Sequence, residues 1–217
     1  MGQKRLKYPP TIGIDGRTFE YPHSLGRGIG QYTLYHMFNV ARLRPEWHFV
    51  LYMEQPHWPP GTELLSSLPN LGLRPLDDYS PSAVNLVHLP DVMQIVGFDS
   101  PMRVFRGQRA TVTFQDLIPL RIYWEQWPEV LRYAYQQRLE QLRRLNGVIL
   151  TISEHTRQDL IREGIPASRL STIMAGLNQD DSEALSPTLS LVGSRADTLR
   201  QLGVHKPFFL HVGSVDP

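Results

Sequence analysis

The sequence predicts an α/β fold of the Rossmann-like class, with a mostly parallel β-sheet and helices on both of its faces. Short apolar runs alternate along the chain with longer segments in which apolar residues recur at helical spacing, the order expected of repeated strand–helix–strand units. The apolar runs also lack the alternation of apolar and polar residues that a half-exposed strand shows. We therefore expect strands that are buried on both faces of the sheet.

The first strand is predicted at residues 11–15 and the first helix at residues 31–42. The longest helix is predicted at residues 127–145, where Asn146-Gly147 provides a stop signal. A further helix follows Ser153, a plausible N-cap, and ends near residue 163. The remaining strands are predicted at residues 48–53, 71–76, 84–89, 110–114, 148–152 and 170–174. The buried face of the longest helix is predicted to consist of Leu131, Tyr135, Leu139, Leu142 and Leu145.

A change in composition after Asn178 indicates a domain boundary. Residues 1–178 hold all the elements named above and are expected to form one Rossmann-like domain. Residues 179–206 are rich in Ser, Asp and Leu and are predicted to be a linker with a short helix. Residues 207–217 begin an apolar strand, which we interpret as the first strand of a truncated second domain. The alternative is a C-terminal strand that pairs back onto the main sheet.

The composition excludes several classes of protein. Of the 217 residues, 41% are hydrophobic and 20% are charged, which is typical of a globular chain. The net charge of +1 is too small for a field that would bind nucleic acid, so we expect no nucleic-acid partner. The chain has no cysteine, hence no disulfide and no thiolate metal site. No apolar run reaches the roughly 20 residues of a membrane span, and no signal-peptide segment follows the basic N-terminus, so we expect a cytoplasmic protein.

A glycine-rich segment lies between the first strand and the first helix. Gly26, Gly28 and Gly30 lack side chains, so the backbone there can approach a phosphate group at the N-terminus of the helix. The dinucleotide fingerprint G-x-G-x-x-G is not met, because Thr33 stands at its last position. Glu54, after the second strand, resembles a ribose-binding acid and keeps a nucleotide- or NAD-binding domain open as an alternative.

Polar residues follow several predicted strands, at the edge where open parallel sheets bind their ligands. Gln115 and Asp116 follow the strand at 110–114, and His88 lies near the end of an earlier strand. Each has a structural alternative, because an Asp often caps a turn and a single His is often part of a core. Ser153 and Glu154 stand at the start of a helix, and such an N-terminus can bind an anion or a polar sugar. The alternative is that these residues only cap the helix.

Residues 121–144 combine aromatic and basic side chains. An exposed face of this composition is typical of proteins that dock on anionic membrane headgroups. The alternative, which we favour, is a core helix with solvated arginines.

Several segments together resemble the N-terminal half of group 1 glycosyltransferases, the retaining family with a GT-B fold. The resemblance rests on the order and spacing of the segments at residues 11–17, 28–33, 112–120, 148–161, 164–170, 175–178 and 209–217. It implies two Rossmann-like domains that face each other across a cleft. The N-terminal domain, here residues 1–178, would bind the acceptor, and the C-terminal domain would bind the nucleotide sugar.

The resemblance also implies an activity. The full enzyme would move a sugar from a nucleotide-sugar donor to a glycan or lipid-linked acceptor with retention, in bacterial surface polysaccharide synthesis. The segments look closest to the branch that acts on mannose-like or rhamnose-like sugars. We expect this chain alone to be inactive, to bind no metal and no cofactor by itself, and to make at most peripheral contact with the inner face of the membrane.

The resemblance assigns roles to single residues. The family commonly has His-Asp where this chain has Gln115-Asp116, and a Gln forms hydrogen bonds but cannot titrate. The predicted donor-phosphate loop is Gly28, Ile29 and Gly30. The predicted catalytic residues are Asp116, Gln115 and His88, and the predicted acceptor-binding residues are Arg17, Tyr32, Ser153 and Glu154.

Overall fold

The computed structural model of the chain describes residues 9–21, 24–94 and 99–174, together with residues 200 and 203. Within this part of the chain, seven parallel strands form one sheet with helices around it, which confirms the predicted Rossmann-like α/β class. The strands are β1 (Thr11–Asp15), β2 (His48–Met53), β3 (Leu71–Pro75), β4 (Leu86–Leu89), β5 (Ala110–Phe114), β6 (Gly147–Thr151) and β7 (Leu170–Thr172). The helices are α1 (Gly28–Leu43), α2 (Glu63–Ser66), α3 (Pro101–Val104), α4 (Ile118–Arg121), α5 (Glu129–Arg144) and α6 (Glu154–Arg162).

The order of the strands across the sheet is β3-β2-β1-β4-β5-β6-β7. The chain therefore winds outward from β1 in one direction to β3, and then returns to pair β4 with the other side of β1. Ile12 accordingly faces Phe49 of β2 on one side and Leu86 of β4 on the other. Ligands of open parallel sheets bind beyond the carboxyl ends of the strands at such a reversal, here between β1 and β4.

Helices cover both faces of the sheet, and each face has its own hydrophobic core. Successive residues of a strand point to opposite faces, so neighbours in β1 and β2 contribute to different cores. Ile14 and Leu51 pack with Met37 of α1, whereas Tyr52 packs in the other core, with Leu142 of α5. The core beneath α5 also contains Val87, Leu89, Val112, Phe114, Tyr135, Leu139 and Ile149.

Most predicted boundaries agree with the structure within two residues, and the start of α1 is the main exception. The helix begins at Gly28, three residues before the predicted start, so Gly28 and Gly30 lie in its first turn rather than in a loop. The entropic cost of a glycine is lower in the first turn than in the interior, because helix ends fray and restrict the backbone less. Helices α2, α3 and α4 were not predicted, since four residues are too few to show a helical period.

The junction of β5 and β6 requires a glycine. Gly147 begins β6 and pairs with Ala110 of β5. A Cβ atom at position 147 would lie 1.8 Å from the backbone oxygen of Ala110, closer than any pair of atoms can approach without a bond. The two strands can therefore adopt this register only because residue 147 has no side chain.

The linker predicted at 179–206, its short helix and the strand predicted at 207–217 lie outside the described residues, apart from residues 200 and 203. In the part of the chain that is described, no helix combines the length and the apolar character that crossing a bilayer requires.

Candidate functional site

A cavity of about 370 Å³ opens at the carboxyl edge of the sheet, beside β4 and β5. Its lining comes from six places in the chain: the β1–α1 connection at Tyr21, the start of α1, the segment after β4, the end of β5, α4, and α5 with the turn before it. The residues that line it include Arg27, Ile29, Asp91, Gln94, Gln115, Asp116, Trp127, Leu131 and Tyr135. The predicted position of the site, beyond the ends of parallel strands, thus coincides with a cavity.

One wall of the cavity is apolar and aromatic. Trp127 and Tyr135 meet edge to face, with ring centroids 5.7 Å apart and an interplanar angle of 76°. Leu131, one turn before Tyr135 on α5, also borders the cavity. The sequence assigned Leu131 and Tyr135 to the buried stripe of the helix, where Tyr135 indeed packs at 1% exposure, but helical spacing gives no sign that the stripe also borders a cavity.

Two residues that line the cavity each carry a polar atom that is buried without a hydrogen-bond partner in the described part of the chain. These atoms are the Nε2 atom of Gln115 and the hydroxyl oxygen of Tyr135. Burial also raises the pKa of Tyr135, so its hydroxyl keeps its proton and is available as a donor. A buried polar group without a partner costs about 1–3 kcal/mol, and native structures retain such groups mainly where water or a ligand completes them.

Asp91 is the cavity residue with the most strongly perturbed carboxyl group. Burial, together with the negative charge of Asp15, raises its pKa from 3.8 to about 6, although the N–H of Gln94 donates to its Oδ1 atom at 3.3 Å. From this segment the sequence predicts a role for His88 and none for Asp91. Asp91 lies two residues beyond the end of β4, so the reasoning that pointed to Gln115, a polar residue just beyond a buried strand, also covers Asp91.

Asp116 borders the cavity and also shapes the turn after β5. Its Oδ1 atom accepts a hydrogen bond of 2.9 Å from the backbone N–H of Ile118, the first residue of α4. The carboxylate has a second oxygen, so this local bond leaves capacity for a ligand. Both interpretations made from the sequence, a turn-forming residue and a site residue, are compatible with this geometry.

His88 does not border the cavity. It is 5% exposed on the face of the sheet covered by α1, and its Nδ1 atom lies 2.9 Å from the hydroxyl of Thr111. Burial and the neighbouring ring of His36 lower the pKa of His88 to about 3. The imidazole is therefore buried and neutral, and it lies outside the cavity lining, so the predicted role in acceptor positioning stays a prediction.

Arg17 forms a buried ion pair and is not presented to the cavity. Its Nε and Nη2 atoms donate to the two carboxylate oxygens of Asp15, both at 2.9 Å, and its side chain is 2% exposed. The guanidinium fork therefore stabilises the start of the β1–α1 connection. The predicted acceptor-binding role of Arg17 is not supported, because its strongest donors are already used within the protein.

The other predicted acceptor-binding residues also have partners within the protein. Tyr32 forms a hydrogen bond with Thr113, and burial raises its pKa. The Oγ of Ser153 accepts from the backbone N–H of Thr156 at 3.1 Å and caps α6, as the alternative interpretation held. Glu154 is exposed and accepts hydrogen bonds from side chains near it. None of these three borders the cavity.

The N-terminus of α1 reaches the cavity through Ile29. The first helical bond of the usual spacing runs from the N–H of Gln31 to the oxygen of Arg27, so the N–H groups of residues 28–30 have no helical partner. A Cβ atom at Gly26 or Gly28 would meet no atom within 4 Å, and neither residue has a positive φ. Nothing in the fold itself therefore requires glycine at these two positions.

The arginines in residues 121–144 are mostly engaged within the protein. Arg138 is 6% exposed and donates to the backbone oxygen of Gln94 at 3.1 Å. Burial and the positive charge of Arg17 lower the pKa of Arg138 to about 10. Arg121 and Arg143 pair with Glu163 at 3.0 Å and 3.5 Å. These contacts give the membrane-docking interpretation no support. Among the described residues, no group of three His, Asp or Glu side chains is arranged to hold a metal ion.

No protein-family model matches the chain, and no curated protein matches it. Solved structures of Anabaena HepE do match. The complex with UDP-glucose has 12% sequence identity and a TM-score of 0.49, and the complex with UDP and glucose has 11% identity and the same TM-score. The complex with UDP has 12% identity and a TM-score of 0.47. Each match covers 89% of this chain and 50% of HepE, so the chain spans about half the length of the structures it matches.

Proposed function

We propose that the chain is the acceptor-side half of a retaining glycosyltransferase with a GT-B fold. The full enzyme would move a sugar from a nucleotide-sugar donor to a glycan or lipid-linked acceptor in bacterial surface polysaccharide synthesis. The observation that supports this most is the cavity at the carboxyl edge of the sheet, where an aromatic wall, unpartnered polar atoms and the first turn of α1 meet. Sugar rings present both apolar C–H faces and hydroxyl groups, and the cavity offers partners for both.

The first turn of α1 suits the diphosphate of the donor. Negative charge develops on the leaving diphosphate as the bond to the sugar breaks, and free N–H groups at a helix N-terminus stabilise that charge. The open space around Gly26 and Gly28 would let the phosphates approach the backbone. In this proposal Gly28, Ile29 and Gly30 act through their backbone N–H groups.

Gln115 and Asp116 would position the acceptor. The attacking hydroxyl has to be held about 3 Å from the sugar carbon, in line with the bond that forms. Gln115 has an unused donor beside the cavity and Asp116 has an unused acceptor oxygen. Because a Gln side chain does not titrate, its contribution would be hydrogen bonding and not proton transfer.

The domain arrangement forms part of the proposal. Residues 1–178 would be the acceptor domain, residues 179–206 a linker with a short helix, and residues 207–217 the first strand of the nucleotide-sugar domain. Closure of the second domain over the cavity would exclude water, which otherwise hydrolyses the donor. The 217-residue chain alone should therefore transfer no sugar. Peripheral contact with a membrane stays a prediction that co-sedimentation with anionic liposomes tests.

The test compares two proteins. The 217-residue chain and the product of the reading frame that continues beyond Pro217 are each incubated with a panel of nucleotide sugars and a cell-envelope glycan extract, and nucleotide release is measured. We expect release only with the longer protein. Release by the short chain would contradict the division of labour between the domains. A reading frame that ends at Pro217, or a longer product without transferase activity, would contradict the proposal as a whole.

A nucleotide- or NAD-binding domain is the second candidate, and the strand order favours it, since dinucleotide-binding domains share the order β3-β2-β1-β4-β5-β6. Two details count against it. The β1–α1 connection contains two 3₁₀ turns, Arg17–Phe19 and Ser24–Gly26, in place of one tight glycine turn. A carboxylate oxygen of Glu54 lies 3.8 Å from Arg17, a contact that competes with binding a ribose. Calorimetry with NADH tests this candidate, because micromolar binding would favour a nucleotide- or NAD-binding domain.

A further inference from the structure

We propose that Asp91, Gln115 and Tyr135 form a polar triad that binds a neutral pyranoside ring against Trp127, and that this subsite is complete within the 217-residue chain. The inference deepens the proposed function and rests on it, because it names the chemical class of the acceptor. It adds Asp91 and Tyr135, to which neither the sequence nor the resemblance gave a role in binding.

The first argument concerns the unused donors. The hydroxyl of Tyr135 and the amide nitrogen of Gln115 come from different elements, α5 and the end of β5, yet both are buried beside the same cavity without a protein partner. An apolar ligand would leave both donors unsatisfied at a cost in free energy. A ligand that fits must therefore offer oxygen atoms that accept hydrogen bonds.

The second argument concerns a hydrogen-bond acceptor in the cavity lining. Asp91 borders the cavity with a carboxyl group that accepts hydrogen bonds from the backbone N–H groups of Gln94 and Met93, and the two oxygens of a carboxylate have acceptor sites for more. A ligand with hydroxyl groups accepts from Tyr135 and Gln115 and donates to Asp91, since each hydroxyl is both donor and acceptor. A ketone or an ether accepts from Tyr135 and Gln115 but has no hydrogen to donate to Asp91.

The third argument concerns shape and charge. Trp127 and Tyr135 form an aromatic wall, and a sugar ring presents a C–H face to such a surface. The volume of about 370 Å³ lies at the lower end of the range of roughly 300–1,000 Å³ for small-molecule sites, which suits a ring and not a long chain. Two carboxyl groups, Asp91 and Asp116, and one guanidinium, Arg27 before α1, line the cavity, so an acidic sugar bound at Asp91 would meet more like charge than opposite charge. Neutral rings are therefore favoured over uronic acids.

The test measures binding of methyl pyranosides of the gluco, manno and galacto series, and of methyl glucuronide, to the 217-residue chain by saturation-transfer NMR and calorimetry. We expect millimolar binding of at least one neutral pyranoside and weaker binding of the glucuronide. Tyr135→Phe and Asp91→Asn should each weaken binding by about tenfold, the effect of losing one good hydrogen bond. Tyr133→Phe is the matched control, because Tyr133 lies on the same helix, is 63% exposed and does not border the cavity.

A purely structural role for Tyr135 gives a different pattern. If its hydroxyl stabilised the fold, Tyr135→Phe would lower the unfolding midpoint and leave sugar binding unchanged. In the absence of a protein partner, we expect an equal or higher midpoint together with weaker binding. The proposal is overturned if no neutral pyranoside binds, if binding is unaffected by both cavity variants, or if the glucuronide binds as tightly as the glucoside. Sugar binding by a chain whose longer form shows no transferase activity would support this subsite and refute the proposed function alone.

Discussion

Replacing Asp91 by Asn should stabilise the protein at neutral pH. Asn has nearly the same shape and can still accept a hydrogen bond from the N–H of Gln94, but it cannot ionise. In the native protein the pKa of Asp91 rises from 3.8 to about 6, mainly through burial and then through the charge of Asp15, while Arg138 and backbone N–H groups act in the opposite direction. The charged form of Asp91 is therefore the unfavourable one in the folded state.

The magnitude follows from the shift in the pKa. A rise from 3.8 to about 6 corresponds to about 3 kcal/mol, since one pKa unit is worth roughly 1.4 kcal/mol. Because the folded pKa lies above the unfolded one, the contribution of Asp91 to stability is fully present below about pH 4 and is lost as the pH rises through about 6. The advantage of Asp91→Asn over the wild type should thus reach up to about 3 kcal/mol at about pH 7 and shrink toward about pH 4.

Urea unfolding followed by tryptophan fluorescence, at several pH values between these limits, measures this difference. Comparing the variant with the wild type at each pH cancels the contributions of other groups, such as His88. Asp116→Asn is a suitable control, because it changes a second carboxyl group of the same cavity. If Asp91→Asn is less stable than the wild type at neutral pH, or if the difference does not depend on pH, Asp91 is a structural group and its assignment to a binding site is wrong.

Three further predictions concern the fold and residues that the sequence placed in the site. Gly147→Ala should destabilise the protein by about 3 kcal/mol or more in urea unfolding, because the added Cβ meets the backbone of β5. Gly72→Ala is the control: its Cβ would meet nothing within 4 Å, so the free energy of unfolding should change by less than about 1 kcal/mol. Equal effects would refute the close contact. Ser153→Ala should lower the free energy of unfolding by about 1 kcal/mol through loss of the helix cap, and it should leave pyranoside binding unchanged. Weaker pyranoside binding would support the predicted role of Ser153 in acceptor binding. The free energy of unfolding of the wild type should fall relative to that of His88→Gln as the pH drops below about 6.5, because the pKa of His88 is lowered to about 3 in the folded state; a difference that does not depend on pH would contradict this.

The strands were predictable from the sequence because burial on both faces leaves a continuous apolar run. Strands β2 and β5 were predicted to the residue for this reason. The start of α1 was not predictable in the same way, because glycine disfavours a helix in general and the cost at Gly28 depends on its position in the first turn. Packing decides where a helix begins, and the local sequence does not contain that information.

The site was predictable only where the argument depended on topology. Gln115 and Asp116 follow a buried strand, and the structure places both beside the cavity. Tyr135 was assigned to the core because helical spacing identifies a buried face but does not reveal a cavity in it. Arg17 was assigned to acceptor binding because the sequence gave no sign that its guanidinium pairs with Asp15. Contacts of this kind depend on side-chain directions at the end of a strand, which a residue pattern does not specify.

The central position of β1 has a consequence for synthesis of the protein. This strand leaves the ribosome before the other six described strands, but one of its edges pairs with β4, which begins only at Leu86. At translation rates of about 5–20 residues per second, that edge waits several seconds for its partner. An unpaired apolar edge is a template for aggregation, so the nascent chain should depend on chaperones most strongly during this interval. Codon changes that slow translation between β2 and β4 should lower the yield of folded protein without altering a single residue.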